Sequence, residues 1–356
     1  MNLEHYALTL HLAPSIGPKQ ARTLMENYPD AEVLFDEGMR DSPPNWPTKQ
    51  EWKALQQEAS MLLDKQESSN IKSFSLFNEH YPKNLLQIPD PPVIVFVKGQ
   101  IDPSSDRIIS VVGTRDSTPM GMDLTHDFVE GLSVNNCTIV SGLARGIDAQ
   151  AHRSSVSLHM PTWAVLAHGL HTIHPRENFT LGERILGEGG AWISEWPLGT
   201  APFPGAFPRR NRIIAGLAHA TLVVEAAIKS GAGITAHLAH QYNREVFAIP
   251  GRVQDVRSQG CLDLIQRHVA QLVMHPKHIA EALGWFQQKS PSDFNALPKP
   301  QQKIWDTLHD GPLRLTTLCD KSQLGSETCL NALAEMMWEG KIRVSHGWYA
   351  RDGPMA

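Results

Sequence analysis

Cysteine is scarce in this 356-residue chain. Its four cysteines, Cys137, Cys261, Cys319 and Cys329, form no C-x-x-C pair. Neither a disulfide framework nor a structural zinc site is expected, and a reducing, cytoplasmic setting fits. No apolar run approaches 20 residues, so no transmembrane helix and no membrane partner is predicted. The opening residues, MNLEHYALTLHLAPS, hold Glu4 and His5 where a secretory signal would carry basic residues. An excess of positive charge is also missing: 32 Lys and Arg stand against 37 Asp and Glu, for a net charge of −5. The chain is no global polycation, and any contact with nucleic acid must come from a local patch. With 41% hydrophobic and 19% charged residues, a wholly disordered chain is excluded.

The common catalytic signatures are absent as well. There is no G-x-x-x-x-G-K-[ST] loop for Walker-type ATP hydrolysis, no H-E-x-x-H, and no G-x-S-x-G elbow. The 17 histidines are dispersed. His237 and His240 fall at i, i+3 on a predicted helix, but no carboxylate or thiolate stands beside them at ligand spacing. No catalytic residue, metal ligand or cofactor is therefore expected.

Three regions are present. Residues 1–81 show apolar spacing of three and four in LTLHLAPSIGPKQARTLMENY and WKALQQEASMLL, which predicts helices separated by the proline-rich break DSPPNWPT (41–48). Over 82–286 short apolar runs alternate with helical stretches: VIVFV, IISVVG, CTIVSG, TWAVLAHG, AWISE, TLVVE and EVFAIPG. Runs of this kind are expected for buried parallel strands covered on both faces. They predict a doubly wound α/β domain with ligands at the carboxyl ends of its strands. QQKSPSDFNALPKP reads as a linker, placed at 287–298. Over 299–356 three short helices and a ribbon turning at His346-Gly347 follow the order of a winged helix. From Ser290 onward seven Lys/Arg face eight Asp/Glu, so a protein-contact or structural role for this module weighs more than DNA docking.

Three glycine loops follow predicted strands. In VVGTRDSTPMG (111–121), Gly113 permits a tight turn, Thr114 and Thr118 offer hydroxyls, and Arg115 sets a guanidinium where an anion would meet a helix start. An ordinary βα turn with a surface arginine is the plain alternative. In SGLARGIDAQAH (141–152), Ser141-Gly142 closes a strand and Gly146 allows close packing; Asp148 is expected as a helix N-cap and His152 as a core histidine. In KSGAGITAHLA (229–239), Lys229 precedes Ser230, Gly231 and Gly233 at a helix start. Three such loops on one sheet edge predict a phosphate-binding crevice.

The segment SEWPLGTAPFPGAFPRRNRIIAG (194–216) carries Arg209, Arg210 and Arg212, with no carboxylate between Glu195 and Glu225. Trp196, Phe203 and Phe207 lie just upstream, and the prolines are expected to hold the segment extended. Aromatic faces beside guanidinium groups suit single-stranded nucleic acid, whose bases stack while its phosphates pair. Packing of Phe207 and Trp196 under the domain, with the arginines capping a sheet edge, accounts for the same composition.

In order, G-T-R-D-S-T-P-M-G, S-G-L-A-R-G-I-D-A-Q-A-H, F-P-R-R-N-R-I-I-A-G-L, E-A-A-I-K-S-G-A-G-I-T-A and A-I-P-G resemble the motifs of the DprA (Smf) family of DNA-processing proteins, over essentially the whole chain. The resemblance implies a Rossmann-like domain flanked by an N-terminal helical domain of sterile-alpha-motif type and a C-terminal winged helix. It implies a non-enzymatic protein that binds single-stranded DNA, protects incoming strands during natural transformation, helps load the RecA recombinase, and forms a homodimer through the Rossmann-like domain. Carried over by motif, Arg115 belongs to the G-[ST]-R loop, Phe207, Arg210 and Arg212 to F-P-x-R-N-R, and Lys229 to the approach to S-G-x-G. Gly142 and Gly231 would let backbone N–H groups approach phosphates. The candidate single-strand-binding set is thus Gly113, Thr114, Arg115, Thr118, Ser141, Gly142, Phe207, Arg209, Arg210, Asn211, Arg212, Lys229, Ser230 and Gly231.

Two segments depart from the family pattern: VLAHGLHTIHPREN lacks the usual second glycine and Tyr-Pro pair, and LIQRHVAQLV replaces L-I-x-x-G-A near residue 268. SIGPKQA (15–21) resembles a helix-hairpin-helix turn without its first glycine. A competing class is the nucleotide-sensing or phosphoribohydrolase-type protein of similar fold. Those enzymes place a glutamate one helical turn after the glycine loop. Here that turn has His237, and Glu225 is the only nearby carboxylate.

Overall fold

The first helix starts where Asn2 accepts the N–H of His5 at 2.8 Å. This computed structural model describes residues 2–37, 45–285, 297–309, 311–338, 341–345 and 347–351. Helices α1 (Leu3–Leu12), α2 (Pro18–Asn27) and α3 (Lys49–Ser68) form the N-terminal segment, with α3 opened by a Thr48/Glu51 capping box. They meet over Leu8, Leu24, Phe35 and Trp52. Part of the expected break at 41–48 lies outside the described residues.

The chain then enters a nine-stranded sheet. Its elements are β1 (Lys72–Ser75), α4 (Lys83–Leu86), β2 (Ile94–Gly99), β3 (Ile108–Val112), α5 (Pro119–Ser133), β4 (Thr138–Ser141), α6 (Ile147–Ser157), β5 (Thr162–Val165) and α7 (Phe179–Gly187). They continue with β6 (Ala191–Ser194), α8 (Ala206–Leu217), β7 (Ala220–Val223), α9 (Gly231–Gln241), β8 (Glu245–Ala248), α10 (Val256–Gln266), β9 (Gln271–Leu272) and α11 (Pro276–Ala282). The strand order is β1-β2-β6-β5-β4-β3-β7-β8-β9, parallel from β6 to β9. This is a mixed α/β fold with a large, mostly parallel sheet, consistent with the Rossmann-like arrangement predicted. Along β3, Ile108 and Val112 join one hydrophobic cluster while Ile109 and Val111 join another. Both faces of the sheet are therefore covered, which is why its strands read as unbroken apolar runs.

One strand differs from expectation. VIVFV becomes β2, but it runs antiparallel to both β1 and β6. A fully buried apolar run carries no signal of direction. The sheet also starts ahead of residue 82, at β1, and residues Met1–Trp285 form one compact unit.

A second compact unit covers Phe286–Ala356. Its described elements are α12 (Lys299–Thr307), β10 (Leu313–Arg314), α13 (Leu315–Ser322), α14 (Ser326–Trp338), β11 (Ile342–Ser345) and β12 (Trp348–Arg351). The strands are ordered β10-β12-β11, and Ile304, Leu318, Leu333 and Ile342 build the core. His346 at the expected ribbon turn, and most of the expected linker, lie outside the described residues. Among the described residues no helix is long and apolar enough to cross a membrane.

A candidate nucleic-acid interface

Strands β3 to β6 are laid down in one direction, and β7 to β9 are added on the other side of β3. The chain thus diverges between β3 and β7, and a crevice opens at the carboxyl ends of strands at such a point. A cleft of about 690 Å³ lies there, lined by Gly113, Thr114 and Arg115 after β3, by Lys229, Ser230 and Gly231 after β7, and by Phe207, Arg210 and Asn211 of α8. A neighbouring hollow of about 480 Å³ shares Arg115, Ala144, Phe207 and Arg210 and extends to Gly142, Arg145 and His174. Nine of the candidate residues thus border one cavity, and Gly142 borders its neighbour.

The cation at the mouth is Arg115, which is exposed and lies 5.5 Å from the Phe207 ring centre. Phe207 is half-buried, with the His174 ring 5.9 Å away. Lys229 is also exposed. Neither Arg115 nor Lys229 has a carboxylate partner among the described residues. The acid beside Arg115, Asp116, is taken by Arg257, which donates to its carboxylate and, at 2.7 Å, to its carbonyl. Helix α9 begins in the cleft. Its N-cap Ser230 accepts the Gly233 N–H at 3.2 Å, and Gly231 and Ala232, whose N–H groups start the helix, line the cavity.

Beneath this rim lies a buried polar layer. Arg210 donates to the carbonyls of Gly142, at 2.7 Å, and Val165. A Cβ on Gly142 would meet that guanidinium at 2.5 Å, so any side chain there would displace Arg210 from its carbonyls. Asp148 accepts the Gly142 N–H at 3.1 Å. Burial raises the Asp148 pKa, opposed by Arg210 and by the N–H groups of Gly142, Ala144 and Gly113. Burial lowers Arg210 to about 10, opposed by Asp148. The pair ties the first two glycine loops together.

Several expectations change accordingly. The F-P-R-R-N-R segment is helical, not extended, because Pro208 sits in the first turn of α8, where its missing N–H costs nothing. Arg212 is buried and pairs with Glu195 while donating to the Asp90 carbonyl; it does not line the cleft. Arg209 also reaches Glu195, at 3.2 Å, and lies 4.8 Å from the Trp196 ring centre. Trp196 in turn packs on Phe203 and His11. Glu195, just upstream of the arginines in sequence, absorbs two of their three charges. Thr118 caps α5, donates to Glu225 at 2.5 Å, and is not among the residues that line the cavity. Ser141 is buried and donates to the Val111 carbonyl at 2.6 Å. Gly142 offers no free N–H, since Asp148 holds it. Asp148 is not an N-cap either: Gly146, at φ +73°, holds that place and Asp148 lies inside α6. His152 is a core residue whose Nδ1 is 2.7 Å from the Thr162 hydroxyl.

His237 and His240 are both exposed on α9, and no group of three or more potential metal ligands occurs among the described residues. Glu225 is occupied by the Thr118 hydroxyl and backbone N–H. The sequence reading missed Asp148 as a loop tie and His174 as a neighbour of Phe207. Of the three backbone donors to Asp148, Gly142 and Ala144 belong to its own loop and Gly113 to the first loop, a tie that spacing does not reveal.

The family profile of DNA recombination-mediator protein A matches residues 72–284. Protein Smf of Escherichia coli (strain K12) is 36% identical over 285 residues, 77% of this chain and 75% of that protein. The X-ray structure of DNA processing protein A from Streptococcus pneumoniae is similar at a TM-score of 0.66 and 33% identity, covering 79% of this chain and 98% of that one. DNA processing protein A from Helicobacter pylori, whose structure is described for its single-stranded DNA binding mode, aligns at a TM-score of 0.54 and 26% identity, over 60% of this chain and 95% of that one. The chain belongs to the DNA recombination-mediator protein A family.

Proposed function

We propose that the chain binds single-stranded DNA in the cleft between β3 and β7. The observation that carries this is the pairing of two cations without a carboxylate partner among the described residues, Arg115 and Lys229, with the half-buried Phe207 ring at one cavity mouth. Phosphates meet Arg115, Lys229 and the start of α9, and an unpaired base stacks at Phe207. The Helicobacter pylori relative's single-strand binding supports the same ligand. A binding role, not a catalytic one, is favoured because Asp148 and Glu225 are both engaged by protein donors.

In this reading the protein acts in the cytoplasm, protects incoming strands during natural transformation, hands them to RecA, and works as a homodimer through the α/β domain. The helices ahead of β1 serve as a sterile-alpha-motif-like part, the sheet from β1 to residue 286 as the DNA-binding domain, 287–298 as a linker and 299–356 as a winged helix. Fluorescence anisotropy with labelled single- and double-stranded oligonucleotides across a salt series tests the core claim. Single strands should bind more tightly with little sequence preference, and affinity should fall as salt rises. Equal affinity for both forms at every salt concentration would overturn it.

A further inference from the structure

The second compact unit carries its own cationic aromatic surface. In its three-stranded sheet Arg314 stands opposite Trp348, and Arg343 opposite Ala350. Directly paired residues share a face, as do residues two apart along a strand. Arg314, Trp348, Ala350 and Arg343 therefore occupy one side. The other side carries Leu313, Tyr349 and Ile342, which pack on the core of the unit. On the outer side Trp348 is 44% exposed, a large fraction for an indole, and the Arg314 guanidinium lies 5.2 Å from its ring centre. Arg343 is exposed. Neither Arg314 nor Arg343 has a carboxylate partner among the described residues.

The third helix offers the opposite chemistry. Residues 326–338 contain Glu327 and Glu335 and no lysine or arginine. The exposed side of α14 presents Glu327, Leu330 and Met337. In winged-helix-like modules the helix is the usual element for a duplex groove, but one of this charge would meet phosphate repulsion on every approach.

We infer that the Arg314–Trp348–Arg343 sheet face is a second binding surface for single-stranded DNA, separate from the cleft. Two unpaired guanidinium groups flank an exposed indole, which matches a phosphate backbone with one unstacked base between contacts. A duplex keeps its bases stacked inside and leaves the indole without a partner. This surface lies on a different compact unit and goes beyond the cleft reading.

The test uses the full chain and a fluorescein-labelled oligo(dT). Arg314→Ala with Arg343→Ala should lower the salt slope of binding by about 1.4, two single-strand phosphate contacts at about 0.7 each. Trp348→Ala should weaken binding roughly 5- to 150-fold with little change in slope, and Trp348→Phe should restore most of the loss. An oligonucleotide bearing 5-iododeoxyuridine should photo-crosslink to the Trp348 peptide. Unchanged slope and affinity in these variants, with crosslinks confined to residues 72–284, would overturn the inference while leaving the cleft reading intact. Loss of binding in the sheet-face variants alongside normal binding by Arg115→Ala would support the inference and count against the cleft. A wild-type chain that binds no oligo(dT) at all would defeat both.

Discussion

Helix α8 and the loops after β3 and β7 both bring cations to the same end of the sheet, yet they use them differently. On α8, Arg209 and Arg212 converge on Glu195, and Arg210 is spent on the carbonyls of Gly142 and Val165. On the loops, Arg115 and Lys229 are exposed and unpaired among the described residues. The three-arginine segment is conspicuous in sequence and largely structural in the fold. Arg115 of the first glycine loop and Lys229 of the third line the cleft with no carboxylate partner among the described residues. Charge written in a sequence becomes binding charge only where folding leaves it without a partner.

That contrast is sharpest in Arg212→Ala. Removing this arginine leaves Glu195 buried with Arg209 alone, and breaking a buried pair typically costs about 3–5 kcal/mol. Urea unfolding should show a loss near the lower end of that range, while the folded fraction binds oligo(dT) with an unchanged salt slope. A stable Arg212→Ala protein with a flattened slope would reverse the assignment of the two groups.

Acid probes the same interior. Burial, then Arg209 and Arg212, hold the His11 pKa down to about 3, and burial, then Arg210, hold His152 down to about 3. The unfolded chain takes up protons near pH 6.5 that the folded chain refuses. Stability is therefore full above about pH 6.5 and drains as pH falls toward 3, by up to about 1.4 kcal/mol per pH unit for each histidine. Urea midpoints at pH 7 and pH 5 should differ accordingly, and His152→Gln should reduce the gap. Identical midpoints would show that neither histidine is held neutral.

On the loop side the effects should fall on binding. Arg115→Ala should lose about 1.5–3 kcal/mol of affinity for oligo(dT). It should also flatten the salt slope by about 0.7, with the melting temperature preserved. Phe207→Ala should lose about 1–3 kcal/mol with the slope nearly unchanged. Because Phe207 is half-buried, its stability loss should stay below the roughly 3–5 kcal/mol of a core Phe→Ala change. A full core-sized loss of stability with normal binding by the folded fraction would place Phe207 among the packing residues.

Much of this architecture is legible in the chain itself. All seven apolar runs become strands, because burial on both faces leaves an unbroken mark. The strands not anticipated are β1, with the sequence KSFS, β9, an exposed pair at the far edge, and β10, a Leu-Arg pair at the edge of the small sheet. Edge strands need no continuous apolar stretch, so nothing in their composition announces them. The first and third glycine loops are legible as turns at the cleft, since strand, glycine and helix start follow one another directly. The partners of Arg212 and Thr118 are not. Glu195 and Glu225 approach them from other elements, and only the folded chain reveals which charges and hydroxyls are already engaged.

The antiparallel placement of β2 has a consequence for synthesis. Its partner on one side, β1, precedes it, but its partner on the other, β6, lies about 90 residues further along. At a ribosomal pace of about 5–20 residues per second, that interval is on the order of 5–20 s. Throughout it, the apolar strand Ile-Val-Phe-Val emerges with one edge unsatisfied, shielded only by what the first helices cover. The nascent chain must carry an open, sticky edge until the middle of the sheet arrives to close it, and such edges invite pairing with other chains. Slowing translation between residues 99 and 191 should therefore prolong the period of greatest aggregation risk, whereas a pause placed after β6 has left the ribosome should be harmless to this strand.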